Sequence, residues 1–337
     1  MALHSRGQAV VVLDRACFPR DKICGDLIPP RTFELLLEAG FEAAWHRALT
    51  PSRLLACGSA VFDRLASQRP QAWTAAGAGW LSREPIALAL ARRRFDALLV
   101  DQLVGAGVVL RQGWQLLDVE PAIGAEGWLL RGRRRDKGGH WVAWELPCRW
   151  LLAADGAGSP IRRRLLGSGA QQPMGIGLRV LAPDDDPESP SLLAYPGTPA
   201  LLYRWSFRIG AQRNQGLFWP LDAGAARLPA ARLARQWFGH CGQAWACPLL
   251  PPPHQLIGSP APGVLLLGDA ASLIDPLLGH GIDHAADSGL LAAACVADAD
   301  AGDSVETRSR SYDERLKARG VERWTPLQQA IRRQHST

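Results

Sequence analysis

The sequence predicts an α/β fold in which a discontinuous Rossmann-like nucleotide-binding domain carries an inserted antiparallel-sheet substrate domain and a C-terminal helical tail. Two uninterrupted apolar runs, "AVVVLD" at 9–14 and "GVLLLGDAA" at 263–271, are typical of parallel strands that are covered on both faces. Residues 51–82 and 175–221 instead carry short, partly alternating apolar runs, as antiparallel strands do. Parallel pieces that are interrupted twice by antiparallel sheet indicate one split domain with an insertion.

The domain boundaries follow from these changes of pattern. We expect the nucleotide-binding domain to comprise residues 1–50, 83–168 and 258–302 and to be incomplete at its N-terminus. The substrate domain is expected at 51–82 and 169–257. Residues 303–337 are polar and predict the helical tail. A chain of 337 residues is long enough for this arrangement.

The early elements are predicted from local signals. Residues 3–8 are typical of the end of a helix, and the strand at 9–14 follows directly. Residues 30–40 predict a helix, because a proline opens the segment, apolar residues recur at helical spacing and a glycine ends it. A long helix is predicted over 84–104, where a glycine again follows.

The later segments alternate between strand and helix patterns. Residues 107–121 and 127–153 predict strands joined by a hairpin, and the Pro- and Asp-rich "APDDDPESP" at 182–190 predicts a loop. A helix is predicted over 281–299, directly after a glycine-rich turn. The order of elements supports the split domain described above.

Composition indicates a soluble globular protein. Hydrophobic residues make up 47% of the chain and charged residues 21%. The net charge of +6 comes almost wholly from arginine, since the chain has only three lysines. The densest basic run, "RGRRRDKGG" at 131–139, is interpreted as a solvated turn between strands. Nucleic-acid binding is therefore disfavoured.

Cysteine usage and hydropathy bear on the compartment. Seven cysteines without regular spacing favour free thiols in a reducing environment. No stretch approaches the roughly 18 apolar residues of a membrane span, and the N-terminus lacks the apolar core of a signal peptide. We expect a cytoplasmic protein, and peripheral contact with a membrane is kept as an alternative. The sequence does not indicate an oligomeric state.

The segment "GVLLLGDAASLIDPLLGHGI" at 263–282 carries the strongest chemical signal. Its strand delivers Gly268 and Asp269 to a turn, and Gly279 and Gly281 permit close backbone approach at the start of a helix. Free N–H groups and the helix dipole favour an anion or an electron-rich ring there, and Asp269 is placed to hold a sugar hydroxyl. The alternative, an ordinary helix cap, is disfavoured by the combination of strand, acid and glycines.

Two further strands end in acidic residues. Asp14 closes the first strand, where a carboxylate can accept hydrogen bonds from the ribose of an adenosine. The segment "LLAADGAGSPIRRRLLG" at 151–167 places Asp155 and Gly156 at another strand end. Taken alone, Asp14 is also explained as the start of a loop, and Asp155-Gly156 as a β-turn.

Taken in order, these three segments resemble the FAD-binding fingerprints of the flavin monooxygenase and reductase superfamily with the p-hydroxybenzoate hydroxylase fold. The stretch "DRACFPRDKICGD" at 14–26 is similar to the geranylgeranyl reductase family, which carries a Phe-Pro-x-x-Lys-x-Cys-Gly segment there. "PALLYRWSFRIGAQRNQGLFWPL" at 199–221 resembles its Pro-x-x-Tyr-x-Trp-x-Phe motif, and "RRRFDALL" at 92–99 its Arg-x-x-x-Asp helix. The resemblance extends from residue 3 to about residue 320.

This resemblance implies FAD as the cofactor and NAD(P)H or another reductant as the electron donor. The cofactor-binding residues that it implies are Asp14, Arg15, Cys24, Gly25, Arg92, Asp155, Gly156, Gly268, Asp269, Pro276, Gly279, Gly281 and Ile282. It also implies that Tyr203, Trp205 and Phe207 face a substrate pocket, since alternating positions of a strand point the same way. The alternative is that these three aromatic residues form a core stripe.

Two positions are candidates for catalysis, and one departs from the family pattern. His280 stands where the family commonly has an acid or amide beside the flavin, and a histidine there can move a proton near neutral pH or simply form a hydrogen bond. Cys24 follows the loop expected to cross the flavin and is either reactive or a small buried side chain. His284 shares a helix face with His280, but no third ligand is evident, so no metal site is expected. Arg208 replaces the family's proline after the aromatic motif.

Proteins of this fold begin with a strand and a Gly-x-Gly-x-x-Gly turn that holds the FAD pyrophosphate. The opening "MALHSRGQAVVVLD" corresponds to the end of the first helix and to the second strand, and no such turn stands in the expected place. We expect the natural protein to extend further upstream. The alternative is a fragment that no longer holds FAD tightly.

The resemblance implies an FAD-dependent oxidoreductase of the geranylgeranyl reductase type, which reduces C=C bonds of an apolar, isoprenoid-like small molecule by hydride transfer from reduced flavin. One alternative is a flavin monooxygenase that hydroxylates an aromatic or polyketide-like substrate. A flavin halogenase is disfavoured, because the Trp-x-Trp-x-Ile-Pro motif is absent. A non-catalytic truncated remnant is the alternative from a different class.

Overall fold

In the computed structural model of the chain, two parallel strand pairs and one eight-stranded sheet carry the candidate site residues. The structure describes residues 1–58, 63, 66–124, 126–167, 174–195, 203–221, 230–276, 279–297 and 302–334. Residues 199–202 of the aromatic motif lie outside this part of the chain. The predicted fold class is confirmed: a split Rossmann-like domain, an inserted sheet and a C-terminal helix are all present.

The parallel strands form at the predicted apolar runs, but only the later pair is covered on both faces: Val11 and Val109 of the first pair are 41% and 49% exposed, so the prediction of a strand buried on both faces is wrong for residues 9–14. Strand β1 (Val11–Asp14) pairs in parallel with β7 (Val109–Gln112). Strand β11 (Leu151–Ala153) pairs in parallel with β17 (Val264–Leu266), whose three side chains are fully buried. Within each pair the two carboxyl ends lie side by side: Asp14 pairs with Gln112, and Ala153, which precedes Asp155, pairs with Leu266, which precedes Gly268.

Six helices are present in the described part of the chain. They are α1 (Pro30–Glu38), α2 (Arg92–Gly105), α3 (Pro160–Leu166), α4 (Ala230–Phe238), α5 (Ile282–Ala297) and α6 (Val305–Gln334). Single 3-10 turns occur at His4–Arg6, His46–Ala48, Pro253–Gln255 and Gly268–Ala271. The predicted helical tail is thus a 30-residue helix, and its Tyr312 hydroxyl donates a 2.7 Å hydrogen bond to the Leu266 carbonyl of β17.

The large sheet is assembled from two separate stretches of the chain. Its strands, in spatial order, are β16 (Gln243–Pro248), β12 (Met174–Pro183), β15 (Gln212–Leu221), β14 (Tyr203–Ile209), β13 (Ser191–Ala194), β3 (Leu54–Cys57), β5 (Gly79–Ser82) and β4 (Trp73–Ala76). All neighbours are antiparallel except β13 and β3, which run parallel where the two stretches meet. This junction departs from the purely antiparallel sheet that the sequence predicted.

A three-stranded antiparallel sheet follows β7. It consists of β8 (Trp114–Pro121), β9 (Trp128–Arg135) and β10 (Trp141–Cys148), in the order β10-β9-β8. The basic run at 131–139 spans the end of β9 and the turn into β10, as the sequence indicated. Leu117 lies at a bulge in the β8–β9 pairing.

The predicted helix over 84–104 is wrong in its first third. Residues Ala87–Ala89 form strand β6, which pairs antiparallel with β2 (Thr50–Ser52), and α2 begins only at Arg92. A short apolar run fits a strand as well as a helix, and here pairing with a distant strand decides the conformation. The remaining two thirds are helical as predicted. No helix within the described ranges combines the length and apolarity needed to cross a bilayer.

Candidate functional site

The first strand end is held in place by its own backbone and by an arginine. Asp14 is the last residue of β1, and its carboxylate accepts a 2.8 Å hydrogen bond from the Ala16 N–H. The second carboxylate oxygen lies 3.7 Å from Nε of Arg20. Arg15, in contrast, points into solvent. Asp14 therefore presents a partly exposed carboxylate at the carboxyl edge of the β1–β7 pair.

The segment from Arg20 to Asp26 crosses the site and is tied to three different elements. Arg20 pairs with Asp96 of α2 at 2.8 Å, and Asp21 pairs with Arg179 of β12 at 2.7 Å. Lys22 lies 3.6 Å from the carboxylate of Asp269. These ion pairs hold the segment across the mouth of the site. They also bring the family-like segment at 14–26 next to the late glycine-rich turn.

Arg92 begins α2, and its side chain is 12% exposed. It forms a bidentate ion pair with Asp96 one turn later, at 2.8 and 2.9 Å. Burial lowers the pKa of the Arg92 guanidinium, but the adjacent Cys24 and Asp96 side chains outweigh this effect and raise it above its usual value. The structure thus brings Cys24 and Arg92, two predicted site residues, into contact.

A buried polar network that sequence reasoning missed lies beside Gly25. Asp26 is 2% exposed and has a left-handed backbone with φ of 62°. Its carboxylate accepts hydrogen bonds from the Arg92 N–H at 3.1 Å and from Nδ2 of Asn214 at 2.8 Å. Asn214 in turn accepts a 2.9 Å hydrogen bond from Nε1 of Trp205. Burial raises the pKa of Asp26 above its usual value.

The only sequence signal for this network was indirect. Asp26 directly follows the Cys-Gly pair of the family-like segment. Its positive φ is uncommon for a non-glycine residue, but it is visible only in the structure. Asn214 lies 188 residues away in the chain. No local pattern reveals a contact over that separation.

The late glycine-rich turn packs against both its helix and the aromatic strand. The Gly268 N–H donates a 3.1 Å hydrogen bond to Oγ of Ser288 on α5. Gly279 has φ of +65°, and a Cβ atom there would lie 1.9 Å from the Tyr203 hydroxyl. Gly279 thus lies close to Tyr203, and no other residue fits there without displacing that side chain, whereas the approach of a ligand to the glycines stays a prediction.

The segment at 151–167 supports this turn from below. Asp155 accepts a 3.3 Å hydrogen bond from the Ile161 N–H, and Ser159 caps α3 by accepting from the Arg162 N–H at 2.9 Å. The Arg162 guanidinium donates to the Ala270 carbonyl at 3.1 Å. Gly156 has a positive φ of 83° and open space around its Cα. These contacts join α3 to the 3-10 turn that contains Gly268 and Asp269.

His280 lies between two carboxylates at the start of α5. Its Nδ1 is 2.7 Å from Oδ1 of Asp283, and its Nε2 is 3.6 Å from Oδ2 of Asp275. Burial lowers the pKa of His280, but the hydrogen bond and charge of Asp283, together with the charge of Asp275, raise it above its ordinary 6.5. His280 therefore holds its proton more tightly than a free histidine does.

His284 stacks on His280 but has the opposite protonation preference. The two ring centroids are 4.8 Å apart. Burial lowers the pKa of His284 to about 3, despite the charge of Asp283. Asp275, His280 and His284 bring one potential ligand atom each within 4.8 Å of one another, so Asp275 is the third donor that the sequence did not reveal. The carboxylates of Asp275 and Asp283 already flank the His280 ring. We keep the prediction that no metal ion binds here.

The three predicted aromatic residues lie on one face of β14. Tyr203, Trp205 and Phe207 are 7%, 2% and 5% exposed. The Tyr203 and Trp205 rings are 5.9 Å apart and the Trp205 and Phe207 rings 6.5 Å apart. Burial raises the pKa of Tyr203 well above its usual value. A Cβ atom on Gly25 would contact Trp205 at 3.5 Å, so the crossing segment covers this aromatic wall.

The remaining predicted residues lie around the same turn. Pro276 and Ile282 flank Gly279 and Gly281, and Ile282 packs on the buried cluster that contains Phe33. The crossing segment and the glycine-rich turn therefore lie together over Tyr203, Trp205 and Phe207, which belong to one buried hydrophobic cluster, as the core-stripe alternative predicts. Glycine turns at parallel strand ends, a strand-end carboxylate and an aromatic wall are the features that a dinucleotide with a flat ring requires.

A family model described as "FAD binding domain" matches residues 1–184 of the chain. The chain belongs to this FAD-binding family. It is an FAD-dependent oxidoreductase, and the predicted cofactor is confirmed. The match covers the strand-end carboxylate, the crossing segment and the segment at 151–167.

Relatives of this FAD-binding protein include curated reductases. A menaquinone reductase of Mycobacterium tuberculosis is 28% identical over 319 residues, covering 85% of this chain and 70% of the relative. A menaquinone reductase of Mycolicibacterium smegmatis is 27% identical over 311 residues, with the same two coverages. These relatives and the family model agree with the predicted membership of the FAD-dependent oxidoreductases.

Solved structures share the fold. A geranylgeranyl bacteriochlorophyll reductase-like protein of Thermoplasma acidophilum superposes with a TM-score of 0.70 at 19% identity, covering 97% of this chain and 82% of that chain. A flavin-dependent brominase superposes with a TM-score of 0.66 at 16% identity, covering 93% and 78%. At such identities the likeness shows the fold alone.

Proposed function

We propose that this FAD-dependent oxidoreductase reduces an apolar, isoprenoid-bearing quinone or alkene, with NAD(P)H or another reductant as the source of electrons. The observation that carries the proposal is the contact between the glycine-rich turn and the aromatic wall. Gly279 leaves no room for a side chain beside the Tyr203 hydroxyl, so the turn lies directly on the strand with Trp205 and Phe207. The curated relatives are menaquinone reductases, which supports a quinone as the substrate class.

The residues present fit FAD at this place. By the resemblance, Asp14 would bind the adenosine ribose and Asp269 the ribityl-pyrophosphate region. Gly279, Gly281 and Ile282 would contact the flavin ring. FAD supplies two-electron hydride chemistry when it is bound. The role of the protein would be to orient the ring beside the glycine-rich turn and to exclude water from it.

The aromatic wall supports an apolar substrate. Tyr203, Trp205 and Phe207 provide flat apolar faces, and the Asn214 amide engages the one indole N–H among them. A long isoprenoid chain has no polar group to satisfy, so it is stabilised by burial against such a surface, at about 25 cal/mol for each Å² of apolar area.

Two groups are candidates for handling the proton that accompanies hydride transfer. His280 carries a tightly held proton beside the glycine-rich turn, because Asp283 and Asp275 flank its ring. Cys24 lies beside the Arg92 guanidinium, in the segment that crosses the site. We propose His280 as the proton donor, since the hydrogen bond and charge of Asp283 and the charge of Asp275 raise its pKa above the ordinary 6.5 and it lies next to Gly279 and Gly281.

A monooxygenase is the second candidate function. Several solved structures with the same fold are halogenases or monooxygenases, such as a probable FAD-dependent monooxygenase of Pseudomonas aeruginosa with a TM-score of 0.61. The same three strand-end segments would serve that chemistry. Reduction and hydroxylation differ in their need for oxygen, so they are separable by experiment.

The test is anaerobic turnover with a short-chain menaquinone. The FAD-loaded protein is reduced, mixed with the quinone without oxygen, and the product is analysed by mass spectrometry. We expect flavin reoxidation and a product that has gained two hydrogen atoms. Product formation that requires oxygen and adds one oxygen atom would instead establish the monooxygenase.

Two variants test the role of His280. His280→Gln keeps a hydrogen-bonding side chain but cannot carry the proton, so we expect slower quinone reduction while FAD binding is retained. The matched control is His254→Gln, because His254 lies on an exposed 3-10 turn away from the site. Equal turnover in the two variants would exclude His280 as the donor.

A further inference from the structure

The free end of the β9–β10 hairpin carries a basic and aromatic surface that the proposed reaction does not use. Strand β9 ends at Arg135, and β10 begins at Trp141. We call this surface the hairpin-end patch; its members are Arg111, Arg133, Arg134, Arg135, Lys137 and Trp141. Five of these residues are cationic, and Asp136 is the one carboxylate in the connecting turn.

The guanidinium groups of the patch lie over indole rings. The central carbons of Arg133 and Arg135 are 4.2 and 4.3 Å from the ring centroid of Trp141. Those of Arg111 and Arg134 are 4.5 and 5.6 Å from the ring centroid of Trp114. Among the residues that the structure describes, none of these four arginines has a carboxylate within the 4.0 Å of an ion pair. Their positive charges are therefore not neutralised by this part of the chain.

Towards the opposite end of the same sheet, the arginines are paired with carboxylates. Arg131 pairs with Glu120 at 2.5 Å and with Glu145 at 2.7 Å. Arg149 lies 3.6 Å from Glu126. The accumulation of unpaired arginines is thus confined to the hairpin end and is not a general property of the sheet.

Exposed apolar side chains lie among these charges. Trp141 is 47% exposed and Val142 is 38% exposed. Because consecutive strand residues point to opposite faces, the two present apolar surface on both sides of the hairpin. Indole rings next to arginines are typical of protein surfaces that sit in the headgroup region of a bilayer.

We propose that the hairpin-end patch binds the surface of an anionic phospholipid bilayer. Unpaired guanidinium groups complement the lipid phosphates, and Trp141 and Val142 enter the headgroup region. A nucleic acid fits less well, because single strands bind through aromatic faces open to stacking, and guanidinium groups already lie over both indole rings. The proposal adds a membrane contact to the proposed reaction and does not depend on it.

The experiment is co-sedimentation of the FAD-loaded chain with vesicles. One set contains phosphatidylcholine only, and the other contains phosphatidylcholine with phosphatidylglycerol. We expect binding to the anionic vesicles alone, and release when the salt is raised well above physiological strength, where the Debye length falls towards about 3 Å. Binding that is equal for both sets, or absent from both, would overturn the proposal.

Two charge-matched double variants locate the contact. Each basic residue near an anionic surface contributes roughly a five-fold gain in partition, so R133Q/R135Q should bind about thirty-fold more weakly. The control R131Q/R149Q removes the same two charges from the ion-paired end and should bind within about two-fold of the natural chain. Equal weakening of vesicle binding in the two double variants would show that binding depends on net charge alone, which would refute the patch.

Two further outcomes complete the test. Binding of a random-sequence single-stranded DNA more tightly than the anionic vesicles would assign the patch to nucleic acid and overturn the proposal. Flavin absorbance reports whether each variant is folded. Since the assay uses neither quinone nor reductant, vesicle binding and quinone reduction succeed or fail separately.

Discussion

Replacing Gly279 by alanine tests the contact between the glycine-rich turn and the aromatic wall. Alanine at a φ of +65° costs about 1–2 kcal/mol, because its Cβ crowds the following carbonyl. The same Cβ would stand 1.9 Å from the Tyr203 hydroxyl, and forced repacking of this kind costs a further ~1–3 kcal/mol. We therefore expect Gly279→Ala to lower the free energy of unfolding by about 2–5 kcal/mol and to weaken FAD binding.

Gly210→Ala is the matched control for the backbone contribution. Gly210 has a similar φ of +59°, but no atom lies within 4 Å of its would-be Cβ. This variant should therefore lose only about 1–2 kcal/mol. The difference between the two variants measures the clash with Tyr203 alone.

Combining Gly279→Ala with Tyr203→Phe isolates the hydroxyl. The next nearest ring atom is 3.0 Å from the would-be Cβ, so removing the hydroxyl relieves most of the clash. Urea denaturation of the two single variants and the double variant gives a double-mutant cycle, in which we expect a favourable coupling of about 1–3 kcal/mol. A coupling near zero, or equal losses for Gly279→Ala and Gly210→Ala, would refute the close packing of the turn on β14.

Two further predictions concern the buried ionic groups of α5. Because the pKa of His280 is raised in the folded chain, the stability it contributes is fully present below its unfolded pKa of 6.5 and is lost as pH rises through the folded pKa. Asp283→Asn should therefore lower the unfolding free energy most near pH 6 and least in alkaline solution, and a pH-independent loss would contradict the His280–Asp283 pair. Asp287 accepts hydrogen bonds from Arg323 at 2.5 Å and from Arg319, both on α6, and Asp287→Ala should cost about 3–5 kcal/mol in thermal or urea unfolding. Glu306→Ala breaks only the exposed pair with Arg310 and should cost under ~1 kcal/mol. Similar losses of unfolding free energy for Asp287→Ala and Glu306→Ala would contradict the role of Asp287 in holding α6 against α5.

Features with strong local signals could be predicted from the sequence. The strand at 9–14, the helix from Pro30 and the turn after β17 follow from apolar periodicity, proline and glycine, because the sequence neighbours themselves decide these structures. The residues of the glycine-rich turn come together as predicted for the same reason. Strand β6 was missed because its conformation depends on pairing with β2, almost forty residues earlier.

Long-range contacts in the site could not be predicted in this way. The Asp26–Asn214–Trp205 network joins residues that are far apart in the chain, and only the folded sheet brings them together. Asp275 is only five residues from His280, but its approach depends on the turn between them, in which the Asp275 N–H donates to the His280 carbonyl. The roles of Asp14, Arg92 and Asp269 towards FAD remain predictions that the resemblance supports.

The most direct test of the proposed function is a crystal structure of the FAD-loaded chain with a menaquinone analogue. We expect a flavin ring beside Gly279 and Gly281, with the quinone between that ring and the face of β14 that carries Trp205. A flavin ring at this turn with the analogue bound elsewhere would contradict the aromatic wall as the substrate surface. A ring placed away from the turn would contradict the site itself.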